Sequence, residues 1–134
     1  MKKLPFILAF AALALHGCDQ GKPGAAKPAA PAFIGTYKGV LPCASCAGIE
    51  TTLELATDGN YTLTTLFLEV PDAKPETVRG RYTQSDDKTL VRLDDNGGNY
   101  TYFIGERQLE MRDADGTIGD RSAEENANYR LQKQ

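Results

Sequence analysis

Residues 49–68 read IETTLELATDGNYTLTTLFL. Before Asp58-Gly59 apolar and polar side chains alternate, with Leu53 and Leu55 on one face. After it comes a run rich in threonine, aromatic residues and leucine. Alternation at period two is the mark of a strand with one face on a core. Threonine and aromatic side chains suit a pleated surface. Asp-Gly between two such runs is a strong short-range hairpin signal. The stretch therefore predicts two antiparallel strands, residues 49–55 and 61–68, joined by a tight turn.

The same pattern continues on both sides. Residues 33–41 form a first strand, and a loop runs from Pro71 to Pro75. Residues 77–83 carry Val78 and Tyr82 on one side with Gly80 between them. Short strands follow at 90–93, 100–104, 108–112 and 128–132. They are separated by turns at Ser85-Asp86-Asp87-Lys88, at 94–99 and at Gly105-Glu106. Ser122 with Glu125 has the spacing of a capping box, which predicts one helical turn. Eight short strands at near-regular spacing indicate a sandwich or barrel. Joined by short turns, they close into a small all-β, antiparallel up-and-down β-barrel, which leaves no exposed edge. Such an interior holds side chains or one small ligand. Tyr37, Tyr61, Tyr82, Tyr100, Tyr102 and Tyr129 are expected on strands, as core or rim.

The N-terminus obeys other rules. Lys2 and Lys3 precede a mostly apolar stretch to Leu15, then Leu15-His16-Gly17-Cys18. This is the layout of a signal peptide over residues 1–17, and the apolar stretch is too short to span a bilayer. Leu-x-Gly-Cys resembles the bacterial lipobox, with cleavage before Cys18 and a lipid on its thiol. The expected partners are thus a membrane, held through the lipid, and the lipoprotein processing and sorting machinery. Two or more acyl chains anchor stably. Residues 18–32 give the lipidated cysteine and an Ala/Pro/Gly-rich tether. Extended by its prolines, the tether reaches roughly 40 Å. Residues 33–134 are the folded domain. Asp19-Gln20 is similar to an inner-membrane retention signal of enteric bacteria.

Cleavage removes Lys2 and Lys3 from the 15 basic side chains, leaving 13 against 18 acidic ones. An acidic surface argues against nucleic acid, which requires clustered basic residues. The single histidine, His16, leaves with the signal peptide. Without imidazole, Ser-His-Asp and Cys-His sites are excluded, and no enzyme is expected. Asp86-Asp87 and Asp94-Asp95 lie in turns. Asp113-Ala114-Asp115-Gly116 departs from the calcium-loop spacing at Thr117 and Ile118 and reads as a hairpin turn.

Cys43 and Cys46 form a C-x-x-C after the first strand. Three readings stand open. One is a disulfide, favoured in an oxidising envelope. Another is a redox-active dithiol. The third is a Cu(I) site, because thiolates select soft metals. Zinc needs four ligands and the pair supplies two. Met111 is read as packing rather than as a copper thioether.

Residues 37–55, YKGVLPCASCAGIETTLEL, followed by Asp58-Gly59-Asn60-Tyr61-Thr62-Leu63, resemble the N-terminal domain of the NlpE family of copper-resistance and envelope-stress lipoproteins. The shared pattern is Y-x-G-x-L-P-C-A-x-C-x-G-I-x-T-x-L-x-L, then D-G-x-Y. The resemblance implies a lipocalin-like barrel in the envelope of a Gram-negative bacterium, at the outer membrane and facing the periplasm. It also implies a part in copper tolerance and in reporting stress to a two-component sensor. Cys43 and Cys46 occupy the family's C-x-x-C positions. Better-known members carry a second domain with its own cysteines, and a role resting on that domain is not carried over. A competing function is a binding module, with the barrel holding an apolar molecule or a protein partner and the disulfide purely structural.

Overall fold

A computed structural model describes residues 30–134. The expected signal peptide, Cys18 and most of the expected tether lie outside the described residues. Eight strands run in chain order: β1 Gly35–Leu41, β2 Gly48–Leu55, β3 Asn60–Leu68, β4 Glu76–Gln84, β5 Leu90–Leu93, β6 Thr101–Gly105, β7 Gln108–Arg112 and β8 Arg130–Lys133. Each pairs antiparallel with the next, and β8 returns to β1 to close the barrel. The expected up-and-down architecture is what forms.

The central hairpin follows from local chemistry. Gly59 takes a positive φ of 84°, which glycine adopts without steric cost. The Asp58 carboxylate accepts from the Asn60 backbone and side-chain amides. These contacts hold its pKa below the ordinary carboxylate value. The register Leu53↔Leu63 and Leu55↔Tyr61 then places the large apolar side chains inside. Tyr37, Leu53, Leu55, Tyr61, Leu93, Leu109 and Leu131 fill the interior as one buried cluster. Glu50 and Glu54 alternate with them and stay exposed. Apolar inside and polar outside is the reverse of a membrane-spanning barrel.

Several boundaries differ from expectation. The first strand begins at Gly35, because Ala32 and Phe33 form a turn with Ile34 N–H donating to the Pro31 carbonyl. Phe33 instead packs edge-on against Tyr82 at 6.1 Å between ring centres. The last strand begins at Arg130, since Ala127–Tyr129 forms a 3-10 turn. Tyr129 is therefore off the strands. So is Tyr100, which precedes β6 and is exposed. The tight connection before β7 is centred on Glu106 and Arg107. Ser122 and Glu125 do make the reciprocal capping box, on the single turn α1 Ala123–Asn126. Asp113–Gly116 is a turn, with Asp115 accepting from the Thr117 amide and hydroxyl.

The barrel wall is uneven. On one side, β4 pairs with β3 from Glu76 to Arg81. On the other, only Tyr82–Gln84 of β4 meets β5. Beyond that point the Asp94–Tyr100 turn approaches β4, and the Asp94 carboxylate stands where a side chain on Gly80 would be. Val78 shares its face with Tyr82, as alternation requires, yet Val78 is exposed and Tyr82 half-buried. The wall beside Val78 stops short of covering it.

Candidate functional site

The up-and-down topology sorts the connections. The loops after β1, β3, β5 and β7 gather at one end of the barrel. The chain enters β1 at the other end, beside the β2–β3 turn. Cys43 and Cys46 lie on the loop after β1, residues 42–47, at the mouth end. They are bonded to each other, with Cα atoms 5.3 Å apart. Both are half-buried, while Ala44, Ser45 and Ala47 around them are exposed. β2 resumes at Gly48, packed so closely that a Cβ there would meet Val40 Cγ1 at 2.5 Å. The loop thus leaves and rejoins the sheet at fixed points.

A shallow depression beside this loop is lined by Ser45, Cys46, Phe67, Val70, Lys74 and Glu76. Phe67 and Glu76 also line a deeper cup in the barrel mouth. That cup has a volume of about 370 Å³. Inward positions of β2 and β3 form much of its wall: Ile49, Thr51, Leu63 and Thr65. Tyr102 and Met111, a cross-strand pair on β6 and β7, lie deeper. The Thr51 hydroxyl donates to its own strand, to the Ile49 carbonyl at 3.0 Å.

Tyrosine hydroxyls mark the difference between the two ends. Tyr37 Oη donates to the Phe33 carbonyl at 2.7 Å, and Tyr82 Oη to the Ala56 carbonyl. Tyr61 Oη donates to Asp94 Oδ1 at 2.6 Å. Asp94 Oδ2 accepts the Arg81 amide at 2.8 Å. The Tyr61 hydroxyl and then the Arg81 amide hold the Asp94 pKa below the ordinary value, while burial beside that carboxylate pushes the Tyr61 hydroxyl up. Tyr102 is fully buried, but among the described residues no acceptor lies within reach of its Oη. Burial, then the neighbouring Tyr100 and Tyr61, push its pKa up, so it stays a donor.

The structure brings Cys43 and Cys46 together as the sequence places them. Met111 is half-buried against the core and lines the cup, whereas the depression beside Cys46 does not include it. That supports the packing reading. Among the described residues no three His, Cys, Asp or Glu side chains group as a metal site. A soft metal would thus have the two cysteine sulfurs as its protein ligands, and only after reduction. Sequence reasoning missed Tyr102 and Glu76 as features of a pocket. Nothing in the alternation separates Tyr102 from Tyr61, because the partner of each hydroxyl is set by tertiary structure.

The fold and the loop define a class: a small closed β-barrel domain with a cysteine pair at its mouth. Residues 37–120 match the family model of the NlpE N-terminal domain. The chain belongs to that family. Lipoprotein NlpE of Escherichia coli K12 is 35% identical over 82 residues, covering 60% of this chain and 34% of that protein. The chain thus spans about a third of the length of this curated relative. A Shewanella oneidensis crystal structure described as a lipoprotein aligns with TM-score 0.66 and 34% identity, over 76% of this chain and 89% of that one. The crystal structure of the E. coli Cpx pathway activator NlpE aligns with TM-score 0.56 and 29% identity, over 66% and 46%.

Proposed function

We propose that this chain is a non-enzymatic envelope lipoprotein of copper tolerance and stress sensing. Cys18 carries the lipid, and the Cys43–Cys46 pair is its chemically active site. The observation that carries the reading is the joined cysteine pair on a half-buried loop at the barrel mouth, in a chain of the NlpE N-terminal family. The E. coli relative is by name an activator of the Cpx pathway. By that likeness, the partner here is an envelope two-component sensor.

The topology supports the reading physically. The chain enters β1 at the end opposite the cysteine loop, so the loop is free of the point where the tether attaches. In the disulfide both sulfurs are spent on each other. A thiol reductant would supply two electrons, and the resulting thiolates have the softness that Cu(I) selects. Cys43 and Cys46 would then hold the metal.

Acid-quench thiol trapping of Cys43 and Cys46 in intact cells, with and without added copper, tests this. The expected result is a pair found reduced, or protected from the trap only when copper is present. A pair that stays fully oxidised in both conditions makes the disulfide structural and removes the copper site. The anchor has its own test: Cys18→Ser should release the chain from the membrane fraction. Fractionation of inner from outer membranes then decides between the Asp19-Gln20 signal and the family's outer-membrane address.

A further inference from the structure

The low wall leaves a stretch of β4 as an open strand edge. Tyr82 N–H donates to the Gly59 carbonyl, on the β3 side. In an antiparallel sheet each residue sends its N–H and C=O to one side, and the next residue sends its own to the other. Gly80, Val78 and Glu76 therefore also face β3, while Arg81, Arg79 and Thr77 face away. Arg81 is occupied: its N–H donates to Asp94 Oδ2, and its C=O accepts the Asp94 N–H. The Arg79 C=O accepts from the Asn96 side chain at 3.3 Å. Beyond that point, among the described residues, the Arg79 N–H and both backbone groups of Thr77 have no partner. Pro75, one step before the strand, adds a C=O but has no N–H to offer. Residues 75–79 are all exposed.

The vacant groups are complementary to a copy of themselves. Let two β4 strands meet antiparallel about a two-fold axis at Thr77. Each Thr77 N–H then donates to the Thr77 C=O of the other copy, and each Arg79 N–H donates to the Pro75 C=O of the other copy. The reciprocal bond at that last pair would need a donor on Pro75 and a vacant acceptor on Arg79. Proline supplies no donor, and Asn96 already fills the acceptor, so no bond is left unmade. A foreign strand would bring an N–H to the Arg79 C=O in competition with Asn96. The side chains fit as well. Edge strands are commonly blunted by charge, but the outward side chain at the centre here is Thr77. Its hydroxyl lies 3.0 Å from that of Thr64, which pairs in turn with Thr52. Threonines opposite one another favour pairing, and the two-fold axis continues this row into the second copy.

We infer that two copies of this chain associate edge to edge through residues 75–79, with four backbone hydrogen bonds joining their β4 strands into one sheet. The contact is isologous and closes on itself, so it yields a dimer and not a fibre. Five residues a side make a small interface, and the dimer belongs to the weak, transient class.

Disulfide trapping of the full chain reads the register directly. Across the axis the two Thr77 Cα atoms stand about 5.5 Å apart, within the reach of a disulfide. Arg79 is equally exposed, but it stands opposite Pro75 and lies more than about 13 Å from its own counterpart. Cells carrying Thr77→Cys or Arg79→Cys are treated with diamide, a thiol oxidant that crosses membranes, so trapping does not depend on the compartment. The linked peptides are identified by mass spectrometry. Thr77→Cys should give a homodimer joined through the introduced thiols, at about five times the yield of Arg79→Cys. Pro75→Cys and Arg79→Cys chains made in one cell should link to each other, though neither links to itself. Edge pairing is overturned if Thr77→Cys gives no homodimer or links mainly to a different protein. It is overturned equally if Thr77→Cys and Arg79→Cys link to the same extent, or if the mixed pair stays unlinked.

Discussion

The two ends of this barrel are built from the same alternation and behave differently. At the end where the chain enters β1 the inward positions are Tyr37, Leu53, Leu55, Tyr61 and Leu131, all buried, and the hydroxyls among them find protein acceptors. At the mouth the inward positions include Thr51, Thr65 and Glu76, and a cup opens between them. Strand period decides which way a side chain faces. Whether that face is covered depends on the size of the side chain and on the height of the neighbouring strands. Here β5 has four residues where β4 has nine, so among the described residues the upper half of β4 has no second strand beside it, only the Asp95–Gly97 turn, whose Asn96 side chain donates to the Arg79 carbonyl.

Core deletions should expose the contrast most strongly. Leu53→Ala removes a fully buried side chain from the packed end and should cost about 3 kcal/mol. Phe67 is 41% exposed at the mouth, and Phe67→Ala should cost about half as much, roughly 1.5 kcal/mol, since a large part of its area still meets water there. Urea unfolding followed by far-UV circular dichroism measures both. Equal losses would mean that the mouth is as tightly packed in solution as the base, and the cup would not be open.

The cysteine pair should give a middle effect. Its ring spans four residues, so chain entropy limits its contribution to about 2 kcal/mol. Cys43→Ser with Cys46→Ser should therefore lower stability less than Leu53→Ala and leave the far-UV spectrum unchanged. A loss as large as that of Leu53→Ala would show the disulfide to be the main brace of the mouth. A small loss separates chemistry from folding, so any change in copper tolerance or stress output in the double variant would report on the thiols themselves.

Much of this was legible in the sequence. The Asp58-Gly59 turn, the strands around it and the Ser122–Glu125 capping box are local features, and each lies where its own chemistry puts it. The cysteine loop was legible too, because its neighbours Leu41, Pro42 and Gly48 fix its place between two strands. Less visible were features that depend on which strands meet. Val78 has the same inward parity as Tyr82, yet it is exposed because β5 ends too early to cover it. Tyr100 and Tyr129 are good strand formers, but they sit in connections whose backbone is set by Gly97 and Gly98 in one case and by the helical turn α1 in the other. Asp94 read only as a turn residue. Its tie to Tyr61, 33 positions away, exists because β3, β4 and β5 lie side by side.

That carboxylate gives the smallest effect and the sharpest boundary between the two ends. Asp94 closes the packed end by accepting from the Tyr61 hydroxyl and the Arg81 amide, just below the level where the wall opens. Asp94→Asn keeps its shape but turns one of the two acceptor oxygens into a donor group. It should lower the Tm at pH 7 by a few degrees, less than the cysteine double variant does. The pH dependence distinguishes charge from shape. The folded-state pKa of Asp94 lies below the ordinary 3.8. Its stabilisation is therefore complete above that ordinary value and is lost as the pH falls through the lower folded value. The asparagine variant does not titrate there. Asp58, Asp87 and Asp115 also have lowered pKa values, but both proteins share them and their acid losses cancel in the difference. The two melting curves should thus converge as the pH drops below about 4. A gap that stays constant to pH 2 would show that the carboxylate acts through its shape, and the seal at this level would then owe nothing to charge.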